Sequence, residues 1–172
     1  MKKSAINPMP EFFDRYINLV EDIDIHEAMK KYAFKLNGED VESLKRLGDK
    51  TYAPDKWTVK DILQHMIDTE RIQAYRALRF ARNDQSILPG FDEQVYGAEA
   101  NASKRSVVDL LDELIYVRQS NILLFRSFDN TMLLREGICF KVTISVLALG
   151  FVIVGHGIHH MNVIKEKYYP LK

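Results

Sequence analysis

Apolar residues recur three and four positions apart through most of this chain, a period that lines one side of a helix and cannot line one face of a strand. The clearest stretch begins at Thr58, where Asp61 three residues on completes a capping box and Trp57 stands opposite Ile62 as a hydrophobic staple. From there to about Ala81 the apolar face is Val59, Ile62, Leu63, Met66, Ala74, Ala77, Leu78 and Ala81. Ser106, with Asp109 as its capping partner, starts another helix, striped by Val107, Leu110, Leu111, Leu114, Val117, Leu124, Phe125 and Phe128 and ending near Asp129. Ser145 caps one that runs to about Tyr168 and is apolar nearly all round in its first half, the signature of the most buried helix in a bundle. Before these, Asp24 can cap a helix carrying Ile25, Ala28, Met29, Tyr32 and Leu36, with Gly38 as its stop and a shorter helical turn following through Val41, Leu44 and Leu47.

Four helices of roughly 14 to 24 residues joined by two longer connections predict an all-α four-helix bundle. Residues 1–23, with Pro8 and Pro10, read as an irregular N-terminal segment. No repeat, low-complexity tract or linker divides the remainder, so 1–172 reads as a single domain. Asn83 to Asp92, with Pro89-Gly90, has the turn chemistry of a surface loop. Gly137 to Thr143 alternates like a strand but is too brief to support a sheet by itself.

Composition narrows the function classes. A chain of 172 residues that is 47% hydrophobic has core enough to fold without a disulfide or structural metal, so a metal found here is expected to be functional. The 24 basic residues balance 24 acidic ones, which argues against nucleic acid or an anionic membrane as a partner. Cys139, the single cysteine, cannot form an internal disulfide, and Lys2 and Lys3 precede no apolar signal-peptide region; both point to the cytoplasm. Ile144 to Val154 is almost wholly apolar but falls short of the ~20 residues a spanning helix needs, and extending it meets three histidines. It is expected in the core.

Those histidines carry the chemistry. Three of the five in the chain fall in Gly155-His156-Gly157-Ile158-His159-His160, and chance supplies roughly 0.14 His-x-x-x-His pairs at this composition. Four residues apart on a helix, His156 and His160 share a face and can aim two imidazoles at one metal ion. His159 could replace His160 only with a different rotation of the helix. Two ligands seldom hold a divalent ion well, and His65, beside the apolar stripe of the Thr58 helix, is the candidate third. A solitary mid-helix histidine is ordinarily a hydrogen-bonded core residue; beside the pair, the two readings weigh about equally. His26, next to Glu27, reads as exposed.

The residues Lys56-Trp57-Thr58, Leu63-Gln64-His65-Met66-Ile67-Asp68-Thr69-Glu70-Arg71, Tyr75-Arg76-Ala77-Leu78-Arg79, Leu88-Pro89-Gly90-Phe91-Asp92 and Gly155-His156 with His159-His160 resemble the DinB-like superfamily of metal-binding four-helix bundles. The resemblance runs from about Ile25 to Tyr168. It implies a DinB-like bundle with a divalent metal held by one histidine of the second helix and a His-x-x-x-His pair of the last, which fall on His65, His156 and His160. Two positions depart from it: Gln64 stands where glycine is usual, and Gly157 where an acidic residue is usual, which weakens the last helix and removes a carboxylate from behind the ligands.

Three neutral imidazoles leave open positions on an ion for water or substrate, the condition for catalysis. Zinc, nickel, iron or manganese all suit such ligands. The relatives implied by the resemblance include S-transferases and isomerases that use low-molecular-weight thiols, so a metal-dependent thiol S-transferase acting on a small-molecule thiol and an electrophile ranks first. A metal-dependent hydrolase ranks second, and a non-catalytic metal-binding or dimeric stress-response protein is the answer from another class. Relatives of this kind commonly resemble homodimers.

Other candidates are weaker. Asp68, three residues after His65, could flank the site as a second-layer acceptor or general base, although a partner for Arg71 or another arginine is the preferred reading; Glu70 points elsewhere on the helix. Arg76, Arg79 and Arg82 form a stripe that could bind a substrate carboxylate or phosphate, Arg76 and Arg79 above all, or could pin Asp84, Asp92 and Glu93 of the loop to the bundle, which is preferred. Cys139, between Ile138 and Phe140, reads as an inert thiol.

Overall fold

A computed structural model describes residues 1–34 and 37–171. Three long helices dominate it: α4 (Val59–Ala81), α6 (Val107–Arg126) and α8 (Val146–Val163), with α4 packed against both of the others. Their starts are chemical. The Thr58 side chain accepts from the Asp61 amide and Asp61 returns the bond, while Ser106 and Ser145 accept from the amides of Asp109 and Ala148.

The fourth wall differs from the expected single helix. It is built from α1 (Asp14–Ile17), α2 (Ile25–Lys31), capped by Asp24, and α3 (Gly38–Leu47). Gly38 is the first residue of α3, not the stop of the helix before it, because Asn37 supplies a full capping box with Asp40 and restarts the helix there. Leu36, expected on the α2 stripe, lies outside the described residues. The N-terminal segment includes the one turn of α1, whose Tyr16 and Ile17 are buried against α8.

The two connections hold structure of their own. After loop 83–92, Asp92 caps α5 (Glu93–Glu99). The α6 helix ends at Arg126, short of Asp129, because Asp129 caps the brief α7 (Asn130–Leu134). An antiparallel hairpin follows, β1 (Glu136–Cys139) with β2 (Val142–Ser145), pairing Glu136 with Ser145 and Cys139 with Val142. Leu88 joins it from the loop: its amide donates to Ile138 O at 2.9 Å, and the Phe140 amide donates to Leu88 O at 2.7 Å.

Most of the expected stripes are buried, but Leu78 is exposed. The α8 helix continues through a π-helical turn, Ile164–Tyr168, so the continuous helix, Val146–Leu171, is longer than the apolar run read from sequence and long enough to cross a bilayer. Length therefore does not exclude a membrane. Burial inside the bundle of 67% of its most apolar window marks it as a core helix.

Candidate metal centre

His65 lies in the second turn of α4, and His156 and His160 lie one turn apart on α8 where the two helices pack. The rings converge. His156 Nε2 stands 3.0 Å from His65 Nε2 and 3.1 Å from His160 Nε2, and the trio could hold a metal ion, with candidate ligand atoms all within 4.8 Å of one another. The approach of α1 to this point depends on Gly155: a Cβ there would overlap the carbonyl of Tyr16. Tyr16 in turn meets His156 edge-on, 5.2 Å between ring centroids, and Trp57 covers His65 at 4.9 Å. Tyr168 donates its hydroxyl to Trp57 O, tying the end of the α8 segment to the residue that covers the site.

Burial holds all three imidazoles neutral. It pushes His65 down to about 4 and His160 to about 3, with neighbouring histidines adding to the effect, and drives the almost wholly enclosed His156 well below the ordinary range. A neutral ring nitrogen has one in-plane position, filled by a proton or by a lone pair. His156 Nε2 has two nitrogen neighbours at hydrogen-bond distance and can satisfy only one by a proton. A single cation shared by three lone pairs satisfies all of them. Adjacent ligand nitrogens ~2.1 Å from one ion stand about 3.0 Å apart in octahedral and about 3.4 Å apart in tetrahedral coordination, so the two separations at His156 lie nearer the octahedral value. His156 Nδ1 is buried without a partner. A Cβ on Gly157 would meet Arg118 Nη2 and Phe34 Cζ, each at 3.1 Å, so a side chain there would start out toward the arginine.

Solvent reaches the trio at His160, which lines an opening of 200 Å³ together with Asp55, Lys56, Trp57, Gln94 and Tyr168. His159 stays outside the trio, against Tyr16 and His160. His26 is not exposed as expected: it is half-buried, its Nδ1 has no partner, and burial lowers its pKa.

Asp68 is not drawn into the cluster. Its Oδ1 accepts from Gln64 Nε2 at 3.0 Å, and burial raises its pKa, while Gln64 Oε1 accepts from Arg105 at 2.9 Å. Arg71 and Arg105 pair instead with Glu113, so the expected arginine partner for Asp68 is replaced by Gln64. Glu70 does turn elsewhere, into the core, where it meets Arg118 and Asn121. The pinning expected of the arginine stripe is partly present. Arg79 pairs with Asp84 and Arg76 donates to Pro89 O at 2.8 Å, whereas Arg82 lies over Phe128 and Asp92 is spent on capping α5. Burial lifts the Cys139 thiol to about 11, with Arg76 pulling slightly the other way, as an inert thiol requires.

Tyr16, Trp57, Glu70 and Arg118 were not singled out as parts of the site's surroundings from sequence. For Glu70 and Arg118 a signal existed: both fall on the three-and-four-residue stripes of their helices, where a charge needs an opposite charge across the interface.

The family model of the DinB superfamily matches residues 17–164. Among solved structures, YfiT from Bacillus subtilis, described as "a probable metal-dependent hydrolase with an unusual four-helix bundle topology", superimposes with a TM-score of 0.66 at 18% identity, covering 97% of this chain and 90% of that one. No curated protein sequence matches the chain.

Proposed function

The chain belongs to the DinB superfamily, and from that premise we propose that it is a metal-dependent enzyme in which His65, His156 and His160 hold a divalent ion and the attacking group is a small thiol. The convergence of three neutral Nε2 atoms beside an opening carries the reading. When bound, such an ion supplies a Lewis acid that favours the deprotonated form of whatever nucleophile shares its open position. Zinc, nickel, iron(II) and manganese(II) all accept imidazole.

The protein's own groups do the rest. Burial keeps the three rings unprotonated through neutral pH, so no proton competes for their lone pairs. Trp57 and Tyr16 restrict the approach of water, and Lys56 at the mouth offers a cation to an incoming anion. A thiol is favoured over water because its ordinary pKa of about 8.5 lies within about two units of neutrality, whereas that of water is about 15.7. Asp68, engaged by Gln64, is assigned no step.

Hydrolysis is the second reading, favoured by the description of YfiT. Metal analysis of the purified protein, followed by a panel of low-molecular-weight thiols with a chromogenic electrophile, tests both. We expect about one ion per chain and thiol-dependent turnover that disappears in His65→Ala. Turnover with water alone would move hydrolysis to first place; unchanged metal content in the His156→Ala, His160→Ala double variant would reject the site.

A further inference from the structure

Where loop 83–92 meets the β1–β2 hairpin, a pocket of 340 Å³ is walled by Phe12, Phe13, Phe91 and Phe140, with the α4 side chains Gln73 and Arg76 between them. Both α4 residues are buried, Arg76 to 5% exposure. Of the five N–H groups on that guanidinium, one goes to Pro89 O at 2.8 Å and one to Gln73 Oε1 at 3.3 Å. Among the described residues it makes no ion pair. Glu93 also lines the pocket, but it is exposed and does not pair with Arg76. Arg118, the other deeply buried arginine, is matched by Glu70. A buried cation facing neutral oxygens and the Phe91 ring, 5.9 Å away, is costly unless an anion completes it, and the described residues do not supply one.

The aromatic walls are held in an unusual way. Phe12 and Phe140 have φ of 70° and 56°, a conformation bulky residues avoid and one that clusters at ligand clamps. Both rings stand exposed at the rim, 57% and 63%. Arg15 braces Phe12 from 4.1 Å, and the Phe140 backbone is held by the hydrogen bond its amide donates to Leu88 O. Apolar walls with one buried fork of donors suit a ligand that has an apolar body and one planar anionic end.

The geometry points to a binding site for a small organic acid, its carboxylate on Arg76 and its ring or short chain against the four phenylalanines. Glu93 lines this pocket and its neighbour Gln94 lines the opening at His160, so the first turn of α5 borders both. Along α4, however, eleven residues separate His65 from Arg76, about 16 Å of helix, so a small acid held on Arg76 lies apart from the histidines. Binding itself requires no metal.

Calorimetric titration with 3-phenylpropionate, its uncharged amide and inorganic phosphate tests the assignment. We expect saturable binding of the carboxylate, at least tenfold weaker binding of the amide, no measurable binding of phosphate, and the same affinity with and without a chelator. Removing Arg76 would also free Pro89, so the decisive variant is Gln73→Glu, which sets a carboxylate against the guanidinium and should cut affinity at least tenfold without lowering the melting temperature. No saturable binding, equal binding of the amide, or full affinity in Gln73→Glu would reduce Arg76 to a pin for the loop. Phosphate binding as well as the carboxylate would overturn the apolar half of the site, and loss of the probe on chelation would place it at the histidines instead. A metal-free protein that still binds the probe would support the pocket even where the metal-dependent reaction had failed.

Discussion

Glu70 and His65 lie five residues apart on α4, both buried, and the groups that meet them differ. Around Glu70 the accounts close: Arg118 Nη2 reaches Oε1 at 2.5 Å, Arg118 Nε reaches both oxygens at 3.1 Å, and Asn121 donates to Oε2 at 3.0 Å. Two further Arg118 donors find Tyr32 O at 2.9 Å and Ile153 O at 3.2 Å, with the Phe34 ring 4.7 Å from its guanidinium. Around His65 they stay open, with three lone-pair atoms crowded together and His156 Nδ1 unpartnered. Polar groups buried for the fold complete one another within the chain, whereas groups buried for a ligand remain incomplete until it arrives.

The largest effect should come from opening the closed cluster. Arg118→Ala leaves the Glu70 carboxylate buried without its cation, and about 3–5 kcal/mol of stability should be lost. Replacing both partners, as in Arg118→Met with Glu70→Leu, should recover most of that, because no buried charge is left over. Urea unfolding of the metal-free proteins measures both. A loss below about 1 kcal/mol for the single variant would mean that the cluster is not a structural unit.

Closing the open cluster should come next. A divalent ion present at 100 to 1,000 times its dissociation constant should stabilise the fold by about 3–4 kcal/mol, and His156→Leu should abolish that gain while costing the metal-free protein about 1 kcal/mol or less. Chelation should leave the helical circular dichroism intact, since the bundle core does not depend on the ion. Collapse of the helical signal on chelation would show that the ion holds the fold together and erase the contrast.

Acid should separate the clusters more gently. An unfolded histidine takes its proton near pH 6.5, while His65 in the metal-free fold takes it only near 4 and His160 near 3. Between those values the unfolded chain binds protons that the folded one refuses, so stability falls as the pH drops from 6.5 toward 4. At pH 5 the loss should be at most about 2 kcal/mol per histidine, and the share due to His65 should level off below pH 4. His156→Leu removes the third buried ring from this linkage: that variant should show a shallower slope through the window, and an equal slope would mean that His156 is not protected from protons.

What could be read from the sequence follows the same division between periodic elements and singular ones. Thr58 with Asp61, and Ser106 and Ser145, announce helix starts because capping is local chemistry, and α4 ends at Ala81 as its stripe does. The His156–His160 pair was legible because four-residue spacing fixes a face and few histidines compete for it, whereas spacing left His65 evenly balanced with a core histidine and the family resemblance singled it out. The helices α1, α5 and α7 are too short to show a period, and they are held by tertiary contacts and by caps such as Asp92 and Asp129. Gly38 misled because a glycine after a helix resembles a stop, while the Asn37–Asp40 box that overrides it looks like ordinary polar loop. Of the Arg76 pocket only the arginine was legible, as a possible binder of a carboxylate or phosphate; its aromatic walls were not, since residues 12, 91 and 140 meet Arg76 only when the loop and hairpin pack.

The smallest and sharpest probe of the comparison is Gly157, beside His156 in sequence but facing Arg118 in space. Alanine there should gain about 1 kcal/mol from helix propensity alone. Its Cβ, however, meets Arg118 Nη2 and Phe34 Cζ at 3.1 Å each, which requires one of them to yield by a few tenths of an ångström. Arg118 is held by Glu70 and two backbone carbonyls and has little room to move, so Phe34 must yield and lose part of its stacking on the guanidinium. We expect crowding to outweigh propensity slightly, with a net loss below about 1 kcal/mol, the same with and without metal, because the added methyl presses on the closed cluster and not on the open one. A gain near the full propensity value would show that the Arg118 cluster is compliant. A loss that appears only with metal present would show that the two clusters are coupled through the α8 backbone between His156 and Gly157.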